Sequence, residues 1–134
     1  SGNKYGLLYN WTAAKYLEDN KETLIPGWRI PTQTDYNNLI AFVGGWTAST
    51  NKKIKSTSGW SGDNNGTDDY GLSIVPSGLY RAGSFQSLGA NCCLWTIDEY
   101  NSGNSYFLRV RTTDQIMDHD FKRNGYSIRL IEDN

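Results

Sequence analysis

The spacing of apolar residues switches near Trp46 from a helical to a strand-like period. Before the switch, Leu8, Trp11 and Ala14 recur at three-residue intervals, as residues on one helix face do. After it, segment 105–112 shows the period-two alternation of a strand. We therefore predict an α+β fold in which two helices pack on a small, irregular antiparallel sheet with long loops.

Local signals predict the ends of both helices. Asn10 is a suitable N-cap for the first helix, which should stop near Asn20. Thr32 or Thr34 can cap the second, and the Gly-Gly pair at 44–45 should end it. Strands are predicted at 93–97, 105–112 and 126–133.

Length and charge limit the domain count and the partner classes. The 134 residues suit a single domain, 1–134, and a net charge of -1 leaves no basic face for nucleic acid. No apolar run approaches the roughly 20 residues that span a bilayer, so we expect no membrane insertion by this domain. Ser1-Gly2 is typical of a cloning remnant, and we expect the natural chain to begin earlier.

The adjacent cysteines in "NCCLWT" have several interpretations. A zinc site is disfavoured because neighbouring strand residues point to opposite faces and only one histidine, His119, is present. The C-x-x-C redox spacing is absent, and a disulfide between neighbours would be strained. The favoured interpretation is one buried thiol and one more exposed thiol. Alternation places Cys93 inward with Trp95, and Cys92 on the opposite, exposed side.

Two other chemical alternatives are weaker. His119 lies between two aspartates and could pair with a cysteine, but no nucleophile motif accompanies it, and a polar hairpin loop is the favoured location. Segment 62–69, "GDNNGTDD", resembles a calcium loop in its alternating oxygen ligands. No glutamate closes that loop, so turns in which Asn and Asp bind their own backbone are favoured. We expect no cofactor, with calcium kept as the alternative.

Several blocks of the chain together resemble the Fibrobacter succinogenes major paralogous domain family. They occur in the family's order and span nearly the whole sequence. The blocks are "YGLLYNWTAA", "PGWRIPTQTDYNNLIAFVGG", "KIKSTSGW", "NGTDDYGLSIVPSGLYRAGSF", "LWTIDEY" and "NGYSIRLIED".

This resemblance implies a C-type-lectin-like fold, related to that of the formylglycine-generating enzymes. It also implies a secreted or lipid-anchored protein on the outer surface of a bacterium. Relatives of this fold include the variable proteins of diversity-generating retroelements, in which surface positions near the C-terminal end are randomised. Residues 86–120 are rich in the residue types that such randomisation yields.

The chain departs from the family pattern in three places. "CLWTID" stands where the family has a sequence like "WWSST", and Leu130 replaces a frequent cysteine of the last strand. The reactive cysteine pair of the enzyme branch is not reproduced by Cys92 and Cys93. These departures weaken a catalytic interpretation.

The preferred hypothesis is a non-enzymatic ligand-binding module, such as an adhesin, that recognises a protein or glycan at the bacterial surface. Phe107, Arg109 and Arg111 should project together from one strand. Alternatives are an enzyme related to formylglycine-generating oxidases and a structural spacer or tip domain. The predicted ligand surface, within residues 84–120, consists of Asn91, Cys92, Asp98, Tyr100, Phe107, Arg109, Arg111, Asp118, His119 and Asp120.

Overall fold

The computed structural model describes residues 4–134, so Ser1-Gly2 lies outside the described residues. It confirms the α+β class, with four helices and three small antiparallel sheets. The helices are α1 (Trp11–Asp19), α2 (Lys21–Leu24), α3 (Gln33–Val43) and α4 (Ala48–Ile54). The strands are β1 (Trp28–Arg29), β2 (Leu79–Arg81), β3 (Ser84–Gln86), β4 (Asn91–Glu99), β5 (Asn104–Arg111), β6 (Gln115–Phe121) and β7 (Ile131–Glu132).

The predicted helix caps are confirmed. The Asn10 side chain accepts a hydrogen bond from the Ala13 amide at 2.9 Å and begins α1. Thr32, rather than Thr34, caps α3 in a reciprocal capping box with Asp35. The Arg29 guanidinium, which donates to both Asp35 carboxylate oxygens, lowers the pKa of Asp35 to about 2. Gly44 ends α3 with a φ of 134° that favours glycine.

The sequence did not predict α2 or α4. Helix α4 lacks an apolar stripe because two of its three buried residues, Thr50 and Asn51, are polar. The Asn51 amide donates to the carbonyls of Arg111 and Asp114 at 3.0 and 2.9 Å, which satisfies the turn between β5 and β6. Polar bonds to a distant turn therefore replace the apolar periodicity from which a helix is usually recognised.

A buried lysine at the end of α4 binds the same turn. Lys55 Nζ donates to the Thr112 carbonyl at 2.6 Å and lies 4.7 Å from the centre of the Trp60 ring. Burial lowers the pKa of Lys55 to about 8. The β5–β6 turn is thus held from beneath by two side chains of the α4 region.

The main sheet has the antiparallel order β4-β5-β6. Cys93 pairs with Arg109, and Tyr106 pairs with His119, which lies within β6 and not in the hairpin loop that was predicted. Of the predicted strand 126–133, only β7 forms a regular strand, and it pairs with β1. Segment 125–127 makes isolated bridges instead.

The centre of each face of the main sheet is buried. On one face, Cys92, Leu94, Leu108 and Val110 pack with residues of α3 and α4. On the other, Cys93, Trp95 and Phe107 pack with Trp11 of α1 and with Tyr126. Alternation along a strand separates these two faces, but here other parts of the protein cover the centre of both.

The prediction that Cys92 and Phe107 lie at the surface is therefore wrong. Cys92 is 3% exposed and Phe107 is 1% exposed, so neither can contact a ligand at the surface. Cys93 does lie inward beside Trp95, as predicted. Both residues are buried because helices cover one side of the sheet and Trp11 and Tyr126 cover the other, whereas the prediction requires one open face.

Within residues 4–134, no helix combines the length and the apolar character needed to cross a lipid bilayer.

Candidate functional site

The remaining residues of the predicted surface divide between the two faces of the sheet. His119 lies on the face of Leu108 and Met117, whereas Asp118 and Asp120 lie on the face of Phe107. A single ligand cannot contact both sets at once. The predicted surface is thus not one continuous site.

On the first face, three rings form an aromatic stack. Tyr100 and His119 lie parallel, with ring centres 3.6 Å apart and planes at 4°. Tyr106 meets both rings edge-on, at 5.6 and 5.8 Å. The largest contact surfaces of Tyr100 and His119 are therefore turned towards each other, and a ligand would have access mainly to the outer face of Tyr100.

Each of the two predicted arginines pairs with an aspartate of the protein. Arg111 and Asp114 make two hydrogen bonds of 2.7 Å, and this pairing lowers the pKa of Asp114. Arg109 Nη2 lies 3.4 Å from Asp118 Oδ2. An anionic ligand would therefore have to compete with a carboxylate of the protein itself at each arginine.

Two further residues of the predicted set have structural contacts. Asp98 accepts a hydrogen bond of 2.8 Å from the Gln33 amide at the first turn of α3. Asp120 accepts one of 3.2 Å from the Tyr126 hydroxyl and lies 3.5 Å from Arg81. Asn91 is half-buried, and its carbonyl accepts from the Gly78 amide at 2.8 Å.

The two thiols lie in different cores. Cys92 Sγ is 3.6 Å from the Ser77 hydroxyl, and burial raises its pKa to about 11. Burial also raises the pKa of Cys93 well above its usual range. Both sulfur atoms are therefore protonated at neutral pH. Because the thiolate is the reactive form, this environment weighs against a cysteine-based oxidase.

No group of three or more His, Cys, Asp or Glu side chains that could hold a metal ion occurs in segment 4–134. In the loop that resembles a calcium site, the side chains bind backbone. Asn65 accepts from the Trp60 amide at 2.9 Å, and Asn64 donates to the Ser61 carbonyl at 2.9 Å. These contacts match the turns expected from Asn-rich sequence.

A different region combines exposed aromatic rings with a concave surface. A cavity of about 370 Å³ lies between residues 6–10, the β2–β3 hairpin and residues 123–125. Phe85 is 74% exposed and meets Tyr80 edge-on, with ring centres 5.0 Å apart. We call this cavity the aromatic groove; its lining includes Leu7, Leu8, Asn10, Tyr80, Phe85 and Arg123.

Backbone hydrogen bonds hold the walls of the aromatic groove. Tyr80 and Gly125 exchange two bonds of 2.8 Å, and Tyr9 and Tyr126 exchange two of 2.7 and 2.9 Å. A Cβ atom at Gly125 would lie 2.8 Å from Tyr80 Cβ, which is too close for any side chain. Glycine at 125 thus permits the β2–β3 hairpin and the N-terminal segment to pack against residues 125–126.

A second concavity, of about 450 Å³, adjoins the aromatic groove. The two share Asn10 and Arg123 as lining residues, so they form one elongated surface. We call the second the polar depression; Asn10, Thr12, Gly103, Asn104, Phe121, Lys122 and Arg123 line it.

Arg123 is the charged residue common to both concavities. Its guanidinium lies 4.4 Å from the centre of the Phe121 ring, and it forms no ion pair with any carboxylate of residues 4–134. The sequence did not point to Phe85 or Arg123 as candidate site residues. The available signal was the pair of aromatic residues on either side of the "RAGS" turn.

Comparison with known proteins adds the family. A family model described as the Fibrobacter succinogenes major domain matches residues 1–132. Comparisons with curated proteins and with solved structures give no match.

Proposed function

The chain belongs to the Fibrobacter succinogenes major domain family, and on that premise we propose that it is a non-enzymatic ligand-binding module of a bacterial surface or secreted protein. The aromatic groove supports this proposal, because concave sites with exposed aromatic rings and a few polar groups are typical of ligand binding. The partner is a protein or glycan outside the cell. A C-type-lectin-like scaffold is part of the same proposal.

The aromatic groove replaces the predicted surface as the proposed contact region. Phe85 offers a large apolar ring at little cost, since it is already exposed and ordered by its contact with Tyr80. The predicted surface instead consists of buried residues, a self-stacked aromatic cluster and paired charges. Variation of surface residues by a retroelement stays a proposal, and buried Cys92 is a poor position for it.

A matched pair of variants tests the proposed function. Phe85→Ala removes the exposed ring of the aromatic groove. Phe42→Ala is the control, because Phe42 is 75% exposed on α3 and meets Tyr70 edge-on at 5.7 Å. The wild-type protein and both variants are measured on arrays of bacterial and host glycans and extracellular proteins.

We expect at least one ligand whose binding falls roughly tenfold or more in Phe85→Ala and is unchanged in Phe42→Ala. NMR chemical-shift changes for that ligand should centre on residues 80–85 and 123–125. Ligands that bind equally to all three proteins would show that the aromatic groove is not the binding site.

A further inference from the structure

We infer that the ligand of the aromatic groove is an acidic oligosaccharide, with one sugar ring over Phe85 and a carboxylate at Arg123. This inference rests on the proposed function and specifies its ligand class. Four features of the elongated surface support it: its shape, its aromatic rings, its charge and the state of its backbone.

The shape indicates a ligand of at least two units. Cavities of about 370 and 450 Å³ meet at Asn10 and Arg123, and each falls within the size range of small-molecule sites. An oligosaccharide can place one ring in each cavity and leave the linkage beside the two shared residues. A single compact ligand would leave half of this surface empty.

Each cavity has an aromatic ring that a sugar can cover. Tyr80 and Phe85 line the aromatic groove; Phe121 lines the polar depression, with the Arg123 guanidinium over one face of its ring. The C–H face of a sugar ring is apolar, whereas its edge carries hydroxyl groups. The Thr12 hydroxyl and the Asn10 amide nitrogen stand near the junction and can bind such an edge.

The charge around the junction selects an acid. No Asp or Glu from the described part of the chain lines either cavity. Lys122 forms an ion pair with Glu99, and its ammonium also lies 4.6 Å from the centre of the Trp11 ring. Among the described residues that line the two cavities, Arg123 is thus the cation left free to bind. A guanidinium binds a carboxylate through two parallel hydrogen bonds.

The backbone of the groove favours a saccharide over an extended peptide. A peptide that adds to a sheet needs unpaired N–H and C=O groups along its path. Here Tyr80 and Gly125, which both line the groove, already spend their N–H and C=O groups on each other, so an added strand could not pair with either. At these two positions the surface offers side chains and ring faces, which suit a sugar.

The test uses two trisaccharide probes with the same backbone: a galacturonic acid trimer and its methyl ester, which lacks the charge. Binding is measured by isothermal titration with wild-type protein, Arg123→Gln, Phe85→Ala and Lys52→Gln. Lys52 is the matched control, since it is exposed on α4 and its removal changes the net charge equally. Circular dichroism melting confirms that every variant is folded.

We expect the acid to bind at least tenfold more tightly than the ester. Arg123→Gln should remove that preference and leave ester binding unchanged, because only the acid uses the guanidinium. Phe85→Ala should weaken both probes, and Lys52→Gln neither.

Three results would overturn the inference while the proposed function stands. One is equal, Phe85-dependent binding of acid and ester, which would indicate a neutral sugar. Another is tighter, Phe85-dependent binding of a glutamate oligopeptide, which would indicate an acidic peptide. Failure of both trisaccharides to bind also overturns the acidic-saccharide inference. If, in addition, no array ligand depends on Phe85, the proposed function fails as well.

Discussion

The aromatic stack and the aromatic groove both expose rings, but they differ in what the rings contact. Tyr100 and His119 lie face to face at 3.6 Å, so each covers the other. Tyr80 and Phe85 touch edge-on at 5.0 Å and line a cavity, so these two rings do not cover each other face to face. An exposed aromatic residue therefore indicates a binding site only when its ring face is free and lies in a concave surface.

The charges of the two regions differ in the same way. Around the predicted surface, Arg109 and Arg111 each face an aspartate. At the aromatic groove, Arg123 has an aromatic neighbour and no carboxylate partner in residues 4–134. An arginine that already pairs with a carboxylate of the protein thus indicates a structural role, whereas an arginine without such a partner can bind an anionic ligand.

The largest expected contrast is in stability. Phe107→Ala should lower the free energy of unfolding by about 3–5 kcal/mol, because it opens a cavity beside Trp95 and Tyr126. Phe85→Ala should change it by less than about 0.5 kcal/mol, since the ring is mostly in solvent. Urea unfolding measures both. If both variants lost less than about 0.5 kcal/mol of the free energy of unfolding, Phe107 would not be a core residue and the contrast between the two regions would fail.

Gly125→Ala should damage the aromatic groove itself. The new Cβ would lie 2.8 Å from Tyr80 Cβ, so the hairpin must shift, at a cost of about 1–3 kcal/mol. We expect a lower melting temperature together with weaker ligand binding. Gly103→Ala is the control for the melting temperature only, since a Cβ there has its nearest neighbour at 3.9 Å but the residue lines the polar depression. Full binding by Gly125→Ala would show that the hairpin position does not matter.

Stability should depend on pH through Lys55, which supports the predicted surface from beneath. Burial lowers its pKa from 10.5 to about 8 in the folded state. Between pH 8 and 10.5 the unfolded chain therefore holds a proton that the folded chain has released. The free energy of unfolding then rises with pH, by at most about 1.4 kcal/mol per pH unit.

Lys55→Met isolates this contribution, because other titrating groups are common to both proteins. The free energy of unfolding of the wild type minus that of Lys55→Met, measured with urea, should increase from pH 8 to 10.5. Below pH 8 the difference should be level. A difference that falls across this window would show that the ammonium form is the stabilising one.

The smallest effect on ligand binding is expected for Tyr100→Ala. Loss of its stacking on His119 should cost about 0.5–1.5 kcal/mol. Binding at the aromatic groove should be unchanged, because Tyr100 does not line either cavity. A loss of binding as large as that of Phe85→Ala would restore the predicted surface as the ligand site.

The features that the sequence by itself determined are those with short-range causes. Asn10 and Thr32 cap helices by bonding to amides three residues away, so their role is legible in the local sequence. Gly44 ends α3 because its own backbone angle favours glycine. The family blocks and the α+β class follow from patterns of the same local kind, and the match of the family model to residues 1–132 confirms the family.

The tertiary structure alone decided which side chains are free. Cys92 and Phe107 are buried because α3 and α4 cover one sheet face and Trp11 and Tyr126 cover the other. The aromatic groove exists because residue 80 pairs with residue 125, and residue 9 with residue 126. Alternation can separate the two faces of a strand, but only contacts between distant segments determine whether each face meets protein, water or a ligand.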